Sequence, residues 1–341
     1  MRFHSVALPW YATTRANSTC AYTQKATRIA DMLDGLGHTV YTYGGETSDA
    51  AGELVTVICD QDQIPHDFDL SLPHWQTMTE NTVAAVRERA EPGDILMLIA
   101  GRAQQPIADQ LPLPAVEYGI GYGGTFAPYR VFESYAWMHA ILGDEGGAIM
   151  HTANGRMWDT VIPNSYHPDE FPFRPDHDGY LLYAGRLEAC KGLSIVADVA
   201  RVSGRRLLVA GEGDRSLIPA GAEYVGVVAG EERAKLYGGA ACLIAPTLYV
   251  EPFGGVAVEA MLCGTPVVST DFGGFTETVQ PGISGFRCRT LAEFVQCVED
   301  CAELDRAKVN EWAQQYTTPV VALQYDRYLR AVAEHHTETA W

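Results

Sequence analysis

The sequence predicts an α/β protein made of two doubly wound, Rossmann-like domains facing a cleft. Three observations carry this. Strand-like and helix-like segments alternate along nearly the whole chain, the pattern of parallel sheets joined by crossover helices. The alternation breaks once, where Pro163, Pro168, Pro172 and Pro175 precede Asp176, Asp178 and Gly179, a linker composition. The 341 residues also suit two domains at roughly 100–200 residues each. The expected division is a domain at 1–165, a linker at 166–178, a second domain at 179–318, and a C-terminal helix at 319–341 that packs back on the first domain.

In the first half, Phe3–Leu8 reads as a strand. Cys20–Leu36 reads as a helix, with Ala26, Ile29, Ala30 and Leu33 on one face. Gly35 and Gly37 stop it, and Thr39–Tyr43 and Val55–Cys59 follow as strands. Thr77–Ala90 is helical and ends at Pro92-Gly93. Ile95–Ala100 is a near-continuous apolar run, as a strand covered on both faces requires. A helix is expected at Pro128–Leu142, then short strands at Ala148–Met150 and Val161–Ile162. In the second half, Leu181–Ala184, Arg206–Ala210, Ala222–Val227, Ala241–Ala245 and Pro266–Ser269 read as strands. Leu193–Val202, Glu231–Tyr237, Val256–Cys263, Leu291–Ala302 and Pro319–Ala333 read as helices.

Composition narrows the function. Apolar residues make up 47% and charged residues 20%, so the chain is not generally disordered. No apolar run reaches the ~20 residues of a membrane span, and Met1–Trp10 does not read as a signal peptide. The balance of 24 Lys+Arg against 43 Asp+Glu gives −19. Residues 1–170 alone hold nine bases and 21 acids, and between Arg28 and Arg87 stand ten acids and no Lys or Arg. Such a surface repels nucleic acid backbones and anionic lipid. The eight cysteines form no CxxC pair and sit mostly in apolar runs, which reads as buried free thiols in a reducing, cytoplasmic setting.

Four clusters carry the chemistry. Gly185-Arg186 follows a strand, and Lys191-Gly192 stands before a helix. A cation there opposes the helix dipole unless an anion sits between them, which suggests a diphosphate cradle. Gly211-Glu212-Gly213 follows the next strand, where glycines let backbone approach a ligand or simply turn. Glu251-Pro252-Phe253-Gly254-Gly255 leads into a helix containing Glu259. A carboxylate in so apolar a helix requires a donor, and two sugar hydroxyls would serve. Glu117-Tyr118-Gly119-Ile120-Gly121-Tyr122-Gly123-Gly124-Thr125 reads as a flexible aromatic loop suited to an acceptor.

These clusters, with Gly264-Thr265-Pro266-Val267-Val268 and the junction Val161-Ile162-Pro163-Asn164, resemble retaining glycosyltransferases of the glycogen-synthase-like family 4 type, over roughly 161–290. The resemblance implies a GT-B fold and a nucleotide diphosphate sugar donor, UDP-linked by preference or GDP-linked, with no metal or other cofactor. It implies that Arg186 and Lys191 hold the diphosphate, that Glu251 contacts the transferred sugar, and that Glu259 takes the ribose hydroxyls. Gly185, Gly211, Glu212, Phe253, Gly254 and Gly255 would line the donor. The chain departs from the family in three places. The loop Thr13–Thr19 has no glycine, Ser165 replaces the usual junction glycine, and the place of a customary histidine reads Val116-Glu117-Tyr118-Gly119. His139 is therefore a candidate catalytic residue, and Glu117, Tyr118, Tyr122 and Thr19 are candidate acceptor contacts.

The activity expected is hexosyl transfer with retained anomeric configuration to a hydroxyl of a small molecule or saccharide. Two alternatives stand beside it: transfer to a hydroxymethylated base in DNA, as in virus-encoded members that block 116–139 resembles, and non-catalytic nucleotide-sugar binding.

Overall fold

The computed structural model describes residues 1–17, 20–146 and 156–337. Two compact units emerge. The first comprises Met1–Glu133, Met138–Ser165 and Thr318–Trp341, the second Ser134–Trp137 and Tyr166–Thr317.

The first unit holds a parallel sheet of seven strands: β1 (Arg2–Val6), β2 (Thr39–Gly45), β3 (Glu53–Ile58), β4 (Ile95–Leu98), β5 (Ala115–Ile120), β6 (Tyr129–Phe132) and β7 (Thr160–Val161). Their order is β3-β2-β1-β4-β5-β6-β7, so direction reverses between β1 and β4. The helices Ala21–Gly35 and Pro73–Arg89 make crossovers. The second begins with its proline in the first turn, where the missing N–H costs nothing. Gln104, wholly buried, seals the β1/β4 seam. Its Oε1 accepts from the N–H groups of Ile99 and Ala100 at 2.8 and 3.0 Å, and its amide donates to the carbonyls of Val6 and Ala7. The C-terminal helix Thr318–His335 buries Val321, Tyr325, Leu329 and Val332 against Ile29, Leu33 and Phe3 of this unit.

The second unit holds six parallel strands: β8 (Tyr180–Ala184), β9 (Leu207–Ala210), β10 (Glu223–Gly226), β11 (Ala240–Ala245), β12 (Val267–Thr270) and β13 (Gly285–Cys288), ordered β10-β9-β8-β11-β12-β13. Both sheets thus share the 3-2-1-4-5-6 doubly wound order, which β7 extends by one strand in the first. Among the described residues no helix is long and apolar enough to cross a membrane.

The structure corrects several local expectations. Pro128–Leu142 is not one helix: Tyr129–Phe132 forms β6, and the helix starts at Tyr135. The run Tyr-Arg-Val-Phe suits a strand, and the fully buried Arg130 is accommodated by Asp159, at 2.8 and 2.6 Å, and Glu145, at 2.8 Å. Glu117–Ile120 is not loop but the buried end of β5. The proline-rich stretch is no free linker. Tyr166 and Phe171 lie in the core of the second unit, and the Arg174 N–H donates to the Cys263 carbonyl at 3.1 Å. The strand expected at Ala148–Met150 lies outside the described residues.

Candidate active site

In an open α/β sheet a crevice forms at the carboxyl ends of the strands flanking the reversal. In the second unit these are β8 and β11. The chain leaving β8 carries Lys191, and the chain leaving β11 carries Tyr249 and Glu251. The structure brings the three together: Lys191 Nζ donates to Glu251 Oε2 and to the Tyr249 hydroxyl, each at 2.8 Å. The Lys191 and Glu251 side chains are 16% and 13% exposed. Burial works against the ammonium, but Glu251 and then Tyr249 outweigh it, and the Lys191 pKa lies above its ordinary value. Burial, then the charge of Glu251, pushes the Tyr249 phenol up.

Glycines make this geometry possible. Gly192 has φ +75°, and a Cβ on it would stand 2.1 Å from the Pro246 carbonyl oxygen. Beside it the Leu248 N–H donates to the Cys190 carbonyl at 2.7 Å, so the two loops lock backbone to backbone. Glu251 is held from the other side by Gly274, whose N–H donates to its carbonyl at 2.7 Å. Sequence reasoning missed Tyr249, Gly273 and Gly274. The available signal was the pair of glycines following the β12 strand.

Gly211 and Gly213 serve the same kind of packing. A Cβ on Gly211, at φ +138°, would lie 1.8 Å from the Gly185 carbonyl oxygen, and one on Gly213 2.7 Å from that of Leu187. The Leu187 N–H donates to the Glu212 carbonyl at 2.7 Å. The close approach is thus of one loop to another. Gly211→Ala is expected to destabilise the chain by about 1–3 kcal/mol, the cost of a strained non-glycine backbone, read as a lowered midpoint in urea unfolding. Wild-type unfolding would show that the two loops separate freely.

Glu259 lies in the helix Gly255–Leu262 and is buried, as are Ala257, Val258, Ala260, Met261 and Leu262. Its Oε1 stands 3.7 Å from Arg233 Nη1, a side chain 12% exposed whose guanidinium lies over the Phe171 ring at 5.0 Å. Burial, and after it the Glu259 charge, drives the neighbouring Tyr237 phenol far above its ordinary value. The carboxylate in the apolar helix therefore has an internal cation, a partner that sequence reasoning missed.

The remaining candidates are placed as follows. Arg186 pairs with Glu188 at 2.9 Å and its side chain is 61% exposed, so it is not joined to the Lys191 cluster. Phe253 is buried against Tyr316 and Tyr166. Gly254 caps the helix Gly255–Leu262 at φ +84°, where a Cβ would meet Phe275 at 2.5 Å, and a Cβ on Gly255 would meet the Tyr166 hydroxyl at 2.5 Å. In the first unit, buried Glu117 accepts the N–H groups of Phe126 and Ala127 at 2.8 Å and the Tyr122 hydroxyl at 3.5 Å. Tyr118 belongs to the core, 1% exposed, while His139 is exposed on the helix Tyr135–Gly146. Thr19 lies outside the described residues. Among the described residues no three His, Cys, Asp or Glu side chains are grouped to hold a metal ion.

Comparison with known proteins places these motifs. Residues 178–303 match the family model for glycosyl transferases group 1. The glycogen synthase of Mycobacterium tuberculosis is 34% identical over 148 residues, covering 38% of this chain and 36% of that protein. The chain matches about a third of the length of such curated relatives. Among solved structures, AviGT4, a glycosyltransferase involved in avilamycin A biosynthesis, superposes with a TM-score of 0.75 at 20% identity, covering 100% of this chain and 99% of that one. Anabaena Alr3699/HepE in complex with UDP-glucose gives a TM-score of 0.70 at 16% identity, covering 97% and 100%. At such identities the likeness speaks for the fold, which is GT-B in these neighbours. Residues 178–303 of this chain thus match glycosyl transferases group 1, on a chain whose two parallel α/β sheets have the GT-B fold.

Proposed function

We propose that this chain transfers a hexose from a nucleotide diphosphate sugar to an acceptor hydroxyl, with retention at the anomeric carbon. The observation that carries the reading is the Lys191–Glu251–Tyr249 cluster at the strand reversal of the second sheet, inside the segment that matches the family model. A largely enclosed ammonium held protonated is suited to the charge that develops on a departing diphosphate. Glu251, oriented by that ammonium, stands ready for the hydroxyls of the transferred sugar, and Glu259 for those of the ribose. The HepE complex with UDP-glucose favours a UDP-sugar. The first unit takes the acceptor, and the chain works in the cytoplasm.

The test is thermal stabilisation across a panel of UDP- and GDP-sugars, followed by donor hydrolysis with and without acceptor alcohols. Stabilisation by one donor and acceptor-dependent release of UDP or GDP are expected. Stabilisation without turnover over any acceptor panel would leave a binding protein. NMR of the product fixes the anomeric outcome, and inversion would overturn retention. Turnover is expected to survive EDTA, because Lys191 and the helix N-termini supply the positive charge. Loss in EDTA restored by a divalent ion would show that a metal neutralises the diphosphate.

A further inference from the structure

We propose that the first unit recognises an amine-bearing, polyhydroxylated acceptor on an aromatic ledge beside its strand reversal, an inference that rests on the transferase reading and names its acceptor class. The ledge comes from three loops at the carboxyl ends of the first sheet. Trp10 and Tyr11 follow β1, His66 and Phe68 follow β3, and Tyr122 follows β5, with Tyr22 at the start of the helix after β1. Their rings form a continuous chain. Phe68 meets Trp10 edge-on at 4.9 Å and Tyr22 at 5.8 Å, Tyr22 stacks on Tyr122 at 5.6 Å, and Tyr11 lies 4.1 Å from His66. Trp75, 2% exposed, is the floor. Phe68 is nevertheless 47% exposed and Leu70 40%, an open apolar surface. Gln61, buried, pins the loop after β3 to the loop after β1, its amide lying 3.2, 3.1 and 2.9 Å from the carbonyls of Leu8, Pro9 and Tyr11.

Several polar atoms of these rings are taken by partners within the protein. The Tyr11 hydroxyl meets His66 Nδ1 at 3.0 Å, the Trp75 indole N–H donates to the Asp67 carbonyl at 2.8 Å, and the Tyr122 hydroxyl meets Glu117. What the ledge offers is ring face and edge, the partner of an aliphatic C–H face or a cation. Its charge differs by loop: exposed Arg15 stands on the loop after β1, and exposed Arg102 lies beside the Tyr122 loop, its backbone N–H donating to the Gly124 carbonyl at 3.1 Å. The loop after β3 carries Asp60, Asp62, Asp67 and Asp69 and no Lys or Arg, and Asp60, Asp67 and Asp69 are exposed. Lys25 lies 5.8 Å from the Tyr22 centroid and is taken by the Gly119 carbonyl and by Glu133. On the side of Phe68, rings for C–H faces and ammonium groups, with the carboxylates of the same loop beside them, complement an amino-polyol. The same carboxylates oppose phosphodiester and phosphate-bearing acceptors.

The experiment titrates the tryptophan fluorescence of the full chain with neamine, an amino-polyol, with its per-N-acetylated form, and with hydroxymethylated duplex DNA, at low and high salt. Neamine is expected to bind at least ~10-fold more tightly than the acetylated form. Asp60→Asn/Asp67→Asn should abolish that preference, since asparagine keeps the left-handed backbone at Asp60, φ 54°. Phe68→Ala should weaken both saccharide ligands at least ~5-fold. Thermal stabilisation by the donor nucleotide sugar should be unchanged in all variants. Equal or tighter binding of the acetylated form, a preference that survives the double variant, tighter binding of DNA, or no binding at all overturns the proposal. If the donor fails to stabilise even the wild type, the transferase reading falls while the titration still decides the ledge.

Discussion

Lys191→Ala is expected to lower kcat/KM by at least ~10-fold, about 1.4 kcal/mol of transition-state stabilisation. The ammonium is the donor of two 2.8 Å hydrogen bonds, and its loss leaves the Glu251 carboxylate half-enclosed and without its cation. Charge-assisted bonds of this kind contribute about 1.5–3 kcal/mol, so the effect should exceed that of Arg186→Ala, whose guanidinium is mostly exposed and already paired with Glu188. Lys191→Ala and Glu251→Gln act on one pair and should be strongly non-additive. Additive losses would mean that the ammonium and the carboxylate serve different steps. Because the folded pKa of Lys191 is raised, its contribution to stability is present below the unfolded value of 10.5 and fades only as the pH rises through the folded value. Urea unfolding of wild type and Lys191→Met compared across pH 8 to 11 checks this: the difference should shrink only at the alkaline end.

Glu259→Gln is expected to keep the fold and weaken donor binding by at least ~10-fold, measured by calorimetry with the stabilising nucleotide sugar. The amide has the carboxylate's shape but loses the charge that strengthens bonds to two vicinal hydroxyls. Glu259→Ala should cost stability as well, because it leaves Arg233, 12% exposed, without its counterion, and breaking a buried pair costs about 3–5 kcal/mol at the upper end. The two variants separate the roles. If Glu259→Gln binds donor as wild type does while Glu259→Ala merely unfolds more easily, the residue is a counterion for Arg233 and the ribose assignment falls.

Much of the fold was legible because its signals are local. Apolar runs such as Ile95–Ala100, alternating with amphipathic stretches such as Leu193–Val202, report parallel strands and crossover helices from sequence alone. The lapse at Pro128–Leu142 has a local cause too. Tyr129–Phe132 carries an arginine in a strand buried on every residue, and what makes that tolerable, Asp159 and Glu145, lies far along the chain. At the site, Lys191 and Glu251 were legible as residues with an unusual requirement. The Tyr249 hydroxyl that meets Lys191, 58 residues away, and the guanidinium of Arg233 that meets Glu259 were not, because no short motif joins either pair.

The sequence by itself determined the fold class, the two-part alternation, the motifs of the second half and the one-sided charge of the first. Only the tertiary structure decided what each glycine and each charge is for. Gly192, Gly211 and Gly213 are spaced by chain chemistry, but the backbone they admit belongs to a neighbouring loop. Lys191 and Glu251, 60 residues apart, meet because the sheet reverses its order between β8 and β11. Trp10, Phe68 and Tyr122 join one chain of ring contacts because β1, β3 and β5 end on the same edge. Periodicity is written within an element, whereas a partner is selected by which strands lie side by side, and that follows from burying whole faces against each other.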